Sequence, residues 1–352
     1  MTTERTTIRE LARLSGVSIG TVSRALNGYT DVRPETRERI IRLAEELDYT
    51  PSASARALVT QRSHVVGVFL NTGEGHPDLQ HPFFHEVLAG VQETIGAQGF
   101  DLLLFASENP GNGYGQHSYV KRCRHHNVDG VVLMGFEHRD EDVRRLCASS
   151  IPTVGVDVEI AGRDTAYVTS DNVQGGALAV EHLAAQGHSR IATIHGPVAT
   201  VAGARRLKGY REGLAAAGLA FRDEYVLGGD FYVESGHRAA AQLLALPEPP
   251  TAIVAASDFM AVGALRAATE AGLQIPRDLS VVGFDDIMLA AHLQPGLTTL
   301  RQDKAGLGEA AARWLIGHVD GAEGVTMPEA VTLPVELVTR GTTAPPSTTP
   351  RS

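Results

Sequence analysis

Ala12, Gly16, Val17, Ser18 and Val22 have the spacing of two short helices that cross at a tight turn: a small residue at the crossing, glycine at the turn, a cap, then an inward apolar residue. In such a helix-turn-helix the second helix offers its N-terminus, where free backbone N–H groups and the helix dipole favour an anion, and Ser18 can bond a phosphate while it caps. An unrelated three-helix bundle would carry the same spacing. Charge is distributed to match. Residues 1–64 hold ten Arg against eight acids, a net of +2, and the other 288 residues carry −12, so the chain of 352 stands at −10. The balance of the whole argues against a protein that coats nucleic acid or an anionic membrane, and an anionic partner is to be sought at the N-terminus.

Elsewhere the residues capable of chemistry fall at the wrong intervals. Gly111, Gly113 and Gly115 lack the G-x-G-x-x-G interval and lie too far beyond a strand to cradle a dinucleotide. His81 and His85 are four apart, but Glu86 follows them instead of lying between them, as a zinc-protease helix requires. Cys123, His125 and His126 have no second ligand pair, and no G-x-S-x-G nucleophile turn occurs. Catalysis, a cofactor and a metal are therefore not expected. Cys123 and Cys147 make no disulfide framework, the N-terminus lacks the apolar core of a signal peptide, and no apolar run approaches the roughly 20 residues that span a bilayer. A cytoplasmic protein without a membrane partner is expected.

The elements that must position these residues follow from apolar periodicity. Ile8, Leu11, Ala12 and Leu14 share one face of a first helix stopped by Gly16; Ser18 caps a second that turns Val22, Ala25 and Leu26 inward. Pro34 opens a third with Ile40, Ile41, Leu43, Ala44 and Leu47 as its buried stripe. The Ala-rich stretch 52–58 is too short to be helical without a partner. From Val65 onward, apolar runs at 65–70, 101–106, 130–134, 153–157, 191–195, 252–256 and 279–284 alternate with helical patterns at 84–98, 174–186, 204–217, 235–246, 259–271 and 304–319. Val/Ile/Leu runs without alternation belong to strands buried on both faces, and strand-helix alternation builds parallel sheets. About 270 residues exceed what one such sheet needs, which predicts two α/β lobes with a ligand cleft between them. The Thr- and Pro-rich residues 341–352 read as a disordered tail.

Longer strings are more specific. Thr7-Ile8-Arg9-Glu10-Leu11-Ala12, then Gly16-Val17-Ser18-Ile19-Gly20-Thr21-Val22-Ser23-Arg24-Ala25-Leu26-Asn27-Gly28 and Tyr49-Thr50-Pro51, closely resemble the headpiece of the lactose-repressor (LacI/GalR) family of transcription regulators. The resemblance continues through His81-Pro82-Phe83-Phe84, Ser170-Asp171-Asn172, Ser257-Asp258-Phe259-Met260-Ala261, Gly283-Phe284-Asp285-Asp286 and Leu297-Thr298-Thr299-Leu300-Arg301-Gln302, and covers about residues 6 to 340. It implies an all-α helix-turn-helix headpiece (1–50), a hinge helix and linker (51–63), and a two-lobed, periplasmic-binding-protein-like effector and dimerisation domain with parallel sheets (64–340), before the tail.

For DNA, the resemblance implies that Thr7, Ser18, Thr21, Ser23 and Asn27 contact the backbone or support the reading helix. Arg24 would read a base edge, where bidentate pairing with guanine is worth about 1–3 kcal/mol of discrimination. Ile19 and Gly20 stand where members vary operator choice, Ile19 through apolar contact with a thymine methyl and Gly20 through close backbone approach. Ala55 and Leu58 fall in the implied hinge helix, which pairs with its copy in the minor groove while Leu58 wedges the central base step.

For the effector, the resemblance to periplasmic sugar-binding proteins implies a site at the C-terminal ends of the strands. Asp157, Asp171, Arg206, Ser257 and Asp285 would take hydroxyls, Phe83, Phe84 and Phe231 would offer faces to C–H groups, and Gln302 would lie near the entrance. Ser257 stands where many sugar-responsive members have Asn. Purine-responsive members carry an arginine at the position of Thr200, so a sugar is favoured over a purine, and the loop 71–80 would admit a disaccharide. The implied protein is a ligand-controlled repressor that binds a near-palindromic operator as a homodimer or tetramer. The rivals are a purine-responsive regulator of the same family, a solute-binding protein, and a DNA-binding protein that no small molecule controls.

Overall fold

The computed structural model describes residues 6–26, 29–49, 62–71, 79–106, 118–136, 140–320 and 328–347. Asn27, Ala55 and Leu58, and the central part of the 71–80 loop, lie outside the described residues. The chain divides into two compact units, Met1–His64 and Val65–Ser352.

The first unit contains α1 (Ile8–Ser15), α2 (Ile19–Leu26) and α3 (Pro34–Glu46). Thr7 Oγ1 caps α1 by accepting from the Glu10 N–H, Gly16 ends it in the left-handed region at φ 67°, and Ser18 Oγ accepts from the Thr21 N–H at 3.1 Å. Leu11, Ala12, Val22, Ala25, Ile40 and Ala44 make the core. Two positions expected inside face outward: Leu14 is 46% and Ile41 38% exposed. Ser15 takes the inner place in α1, one turn beyond Leu11, and satisfies its hydroxyl by donating to the Leu11 carbonyl at 2.6 Å. Leu14 and Ile41 each lie about 100° around the helix from an inward neighbour, and three short helices bury too narrow a stripe to cover both.

In the second unit β1 (Val65–Leu70), α4 (Pro82–Ala97), β2 (Asp101–Phe105), α5 (Tyr119–His126), β3 (Gly130–Met134), α6 (Glu141–Cys147), β4 (Thr153–Val156) and β5 (Thr165–Ser170) build most of one lobe. The other is built by α7 (Asn172–Ala185), β6 (Ile191–His195), α8 (Val201–Ala216), β7 (Val226–Gly228), α9 (Val233–Leu244), β8 (Ala252–Ala255), α10 (Asp258–Glu270), β9 (Ser280–Asp285), α11 (Met288–His292) and β10 (Thr298–Gln302). The chain then returns through α12 (Lys304–Asp320) and β11 (Ala330–Leu333) to the first sheet, and ends on the second with β12 (Val335–Val338). The sheets have the orders β11-β5-β4-β3-β1-β2 and β12-β10-β9-β8-β6-β7, and among their pairs only β10 with β12 is antiparallel. The chain therefore crosses between lobes after Ser170, after Gln302 and after Leu333, which places these residues at the junction of the two lobes. The two α/β lobes match the expectation. Helices α7, α8 and α10 start one to three residues earlier than their apolar pattern because Asp171, Thr200 and Ser257 cap them. Helix α12 lies so close on α4 that a Cβ on Gly90 would come within 2.1 Å of the Ala305 carbonyl, and one on Gly308 within 2.1 Å of the Val87 carbonyl.

Residues 341–347 are not the disordered tail their composition predicts. The Thr342 carbonyl accepts from the Val281 N–H at 2.9 Å, Thr342 Oγ1 donates to the Val281 carbonyl at 2.7 Å and accepts from the Thr298 N–H at 2.9 Å, and Ala344 N–H donates to Ser280 Oγ at 3.1 Å. Buried His188 lies 2.9 Å from both Thr251 Oγ1 and the Ala344 carbonyl, and 3.1 Å from Ser280 Oγ. Polar side chains thus do for this segment what an apolar stripe does for a helix, a device that composition conceals. Burial lowers the pKa of His188, with nearby His182 adding to the shift and the Ala344 carbonyl opposing it. The opened segment then binds a proton that the closed one does not, once pH falls below the ordinary imidazole value of about 6.5. Protection of the Val281 and Ala344 amides, relative to their intrinsic exchange rates, should be constant above pH 7 and fall by up to about tenfold per pH unit below 6.5. Hydrogen exchange across that range checks it; protection independent of pH would remove His188 from the latch.

Candidate functional site

On the first unit, Ser18, Ile19, Gly20 and Arg24 are exposed and Thr21 and Ser23 half-buried. They lie at the cap or on the short helix α2. Ser18 Oγ lies 2.9 Å from Thr21 Oγ1, and Arg24 pairs with Asp31 at 3.3 Å with about half of each side chain open to solvent, an attachment too weak to hold it from another partner. Ile19, 45% exposed, has no packing role that would explain an isoleucine. A Cβ on Gly20 would meet nothing nearer than Ser18 Oγ at 3.7 Å, so the fold does not require glycine there. Gly20→Ala should leave the headpiece as stable as before or stabilise it by up to about 1 kcal/mol, because alanine is the better helix former. It should nonetheless weaken operator binding at least about tenfold, the equivalent of 1.4 kcal/mol, if the bare backbone approaches DNA. Melting curves and gel shifts measure the two effects separately.

In the second unit the residues at the strand ends converge on Arg206 of α8, which is 6% exposed. Its Nε donates to Asn172 Oδ1 at 2.7 Å and Nη1 to the Ala256 carbonyl at 2.5 Å, while Nη1 lies 3.6 Å from Asp285 Oδ1. The guanidinium carbon stands 3.7 Å from the centre of the Phe284 ring and 5.9 Å from that of Phe231. Burial pulls its pKa down and the carboxylates of Asp285, Asp157 and Asp258 oppose the shift; it stays a cation. Burial raises the pKa of Asp157 against the pull of Arg206, and raises that of Asp258 with the help of Asp285. Thr169 Oγ1 donates to Asp157 at 2.5 Å and Gln302 Nε2 to Asp285 at 2.6 Å. Asp157 (φ 54°), Phe231 (73°) and Asp285 (117°) all hold backbone that L-residues avoid, at about 1–3 kcal/mol each, and such strain collects where side chains must be aimed at a ligand.

Several polar atoms here are buried and uncommitted. Ser170 Oγ and Gln302 Oε1 have no hydrogen-bond partner among the described residues, and His81 Nε2 has none of regular geometry. His81 Nδ1 accepts from the Phe83 N–H at 3.3 Å, so the ring proton sits on Nε2. Burial lowers the pKa of His81, against the Asp285 carboxylate and the Phe231 carbonyl and together with Arg206, so the ring is neutral at pH 7. The ring centre lies 6.0 Å from that of Phe84 on its own lobe and 5.7 and 5.2 Å from those of Tyr232 and Phe259 on the other. Unsatisfied buried groups cost about 1–3 kcal/mol apiece, which makes these atoms candidates for the partners of a polar ligand.

Four of the expected site residues also have partners within the fold. Phe83 packs into the core of the first lobe, leaving Phe84 toward the cleft. Asp171 spends Oδ1 capping α7 through the Gln174 N–H at 3.0 Å. Ser257 is fully buried; it accepts from the Met260 N–H at 3.1 Å and donates to the Phe231 carbonyl at 2.9 Å, which aims Phe231. Gln302 sits inside the cluster, 2% exposed, and not at an entrance. Away from the site, burial pushes the Cys147 thiol up to about 11 and that of Cys123 up to about 12, which leaves neither available as a nucleophile.

Residues 7–52 match the family model described as bacterial regulatory proteins, lacI family, and residues 180–343 match a periplasmic binding protein-like domain. The HTH-type transcriptional regulator CelR of Thermobifida fusca is 37% identical over 348 residues, 96% of this chain and 98% of that protein. The chain belongs to the LacI family. Like its relatives, this LacI-family protein is a DNA-binding transcriptional regulator and not an enzyme. The HTH-type transcriptional repressor PurR of Erwinia tasmaniensis is 36% identical, covering 89% of this chain and 90% of its own. The solved CelR–cellobiose complex superposes with a TM-score of 0.72 at 34% identity, over 96% of this chain and 100% of that one. The lac repressor dimer bound to operator and the anti-inducer ONPF gives 0.83 at 29% identity, over 97% and 100%. No described helix of the LacI-family chain is long and apolar enough to cross a membrane.

Proposed function

We propose that this LacI-family regulator is a repressor whose hold on its operator is set by a neutral sugar of about disaccharide size, bound by Arg206, Asp157, Asp285 and Gln302 with Phe84 and Phe231 as apolar walls. The observation that carries the reading is the buried guanidinium between carboxylates, beside the uncommitted Ser170 Oγ and Gln302 Oε1. Each sugar hydroxyl both donates and accepts, so interleaved fixed donors and acceptors suit it. The cellobiose held by the related CelR supports the size. Where purine-responsive members have an arginine, Thr200 uses its hydroxyl to cap α8 and to bond the Pro197 carbonyl at 2.7 Å.

On the DNA side Thr7, Ser18, Thr21 and Ser23 position the headpiece, Arg24 reads a base edge and Ile19 and Gly20 tune the choice; roles for Asn27, Ala55 and Leu58 rest on the family resemblance alone. A net of only +2 gives one N-terminal unit modest attraction to DNA, which favours a homodimer on a near-palindromic operator, acting in the cytoplasm. The test is an operator gel shift in the presence of cellobiose, other disaccharides, monosaccharides, hypoxanthine and guanine, followed by calorimetric titration of whichever acts. A disaccharide response is the expected result; tight hypoxanthine or guanine binding would replace the sugar with a purine.

A further inference from the structure

Lys304 is 3% exposed at the first turn of α12, where the chain has just crossed from the second sheet to the first lobe. Its ammonium has three N–H groups and three acceptors within reach: the Asp285 carbonyl at 2.5 Å, the Asp286 carbonyl at 3.2 Å and Glu86 Oε1 at 3.4 Å. The two carbonyls belong to the last residue of β9 and the one after it, on the second lobe, and Glu86 belongs to α4, on the first. Asp285 is also the carboxylate paired with Arg206 and Gln302, so its backbone is held from the first lobe while its side chain lines the effector cluster.

The two ends of this link are stiff. Ala305, next to Lys304, is the residue whose carbonyl touches Gly90, and Val87, next to Glu86, is the one whose carbonyl touches Gly308. The Lys304–Glu86 pair therefore spans the crossing where α4 and α12 meet backbone to backbone, and interlocked helices move as one body. At the other end Asp286 is bonded by Arg301 and Arg340, both at 2.7 Å, and the Ile287 N–H by Asp258 at 2.8 Å. A displacement of Asp285 is not absorbed by its own turn.

We propose that Lys304 is the positioning residue that transmits effector occupancy between the lobes, by tying the backbone of Asp285 to the α4–α12 pair. This rests on the effector reading of the Arg206 cluster. Because the residue is 3% exposed and its ammonium is committed to protein acceptors, removing its charge separates binding from response.

The experiment compares the parent with Lys304→Met and Glu86→Gln. In the ligand-free full chain, spin labels at exposed Arg145 and Arg277 report the distance between lobes; the parent should give one narrow distribution and Lys304→Met a broader or shifted one. Cellobiose is then titrated calorimetrically and in operator gel shifts. For Lys304→Met, operator affinity without sugar and the sugar Kd should each stay within about fivefold, while the sugar-induced change in operator affinity falls at least about tenfold. Glu86→Gln, which keeps both carbonyl bonds, should lose only about two- to fivefold of that change. A lower Tm with an unchanged distribution and unchanged response would make Lys304 a stabilising residue only and overturn the proposal; so would loss of sugar binding in a folded Lys304→Met. A parent that ignores cellobiose would count against the effector reading, and the lobe distances would still decide for or against Lys304.

Discussion

Arg206→Ala abolishes the effector response while operator affinity without effector stays within about threefold of the parent, an energy under 1 kcal/mol. The guanidinium joins Asn172 of α7, the Ala256 carbonyl after β8, and Asp285 at the end of β9, with the Phe284 ring against it. Removing it takes away the site's central donor, and hydrogen bonds to charged groups are worth about 1.5–3 kcal/mol each, so effector affinity should fall at least about a hundredfold if two are made. It also leaves Asp157 and Asp285 buried without their cation, and breaking a buried pair costs about 3–5 kcal/mol. Arg206→Lys guards against simple unfolding. It keeps the charge, but one ammonium cannot serve Asn172, Ala256 and Asp285 in the planar fork that arginine uses, so it should fold and still lose about tenfold or more in effector affinity. Calorimetric titration and gel shifts with and without effector check both. Loss of basal operator binding in folded Arg206→Lys would mean that the cluster holds the DNA-binding form together and does not receive a ligand.

Ending the chain at Arg340 lowers the Tm by more than about 10 °C or prevents folding of the second lobe, since on the order of 4–8 kcal/mol is lost. The bonds of Thr342 and Ala344 disappear together, and they leave the Val281 and Thr298 amides, Ser280 Oγ and His188 buried without these partners. Each orphaned buried group costs about 1–3 kcal/mol, and a total near the 5–15 kcal/mol that keeps most domains folded is not tolerated. A chain ended at Ser347 retains every one of these bonds and serves as the control. Calorimetry on both reads the result, and an unchanged Tm in the shorter form would show that the segment only rests on the lobe.

Much of this protein is written locally. Thr7, Gly16 and Ser18 state where α1 ends and α2 begins, and the apolar runs of β3 and β6 fall where the strands are, because cap chemistry and two-sided burial depend on a residue and its near neighbours. Strands β5, β10 and β12 are not marked by apolar runs, because they mix Thr, Arg, Gln or Glu with apolar residues and owe their pairing to partners far along the chain. The family strings brought Arg206, Asp157, Asp285 and Phe231 into one expected site. They did not distinguish Ser257 as the residue that aims Phe231, Phe83 as core, or His81, Asn172 and Thr169 as members, although His81 stood in one of the quoted strings.

Periodicity, capping and composition, each a property of a segment, account for the three N-terminal helices, the two parallel-sheet lobes and the charge split that points an anionic partner to the N-terminus, and the family strings make those helices a DNA-binding headpiece. What becomes of a polar side chain at a strand end or beyond the last strand is settled by long-range packing. Whether Ser257 and Asp171 meet a ligand or a backbone amide, whether Thr342 is tail or latch, and whether Lys304 is a surface charge or a link between lobes depend on which buried donor finds which acceptor. That pairing is set by residues far apart in the chain, 156 positions in the case of His188 and Ala344, and no local pattern encodes it.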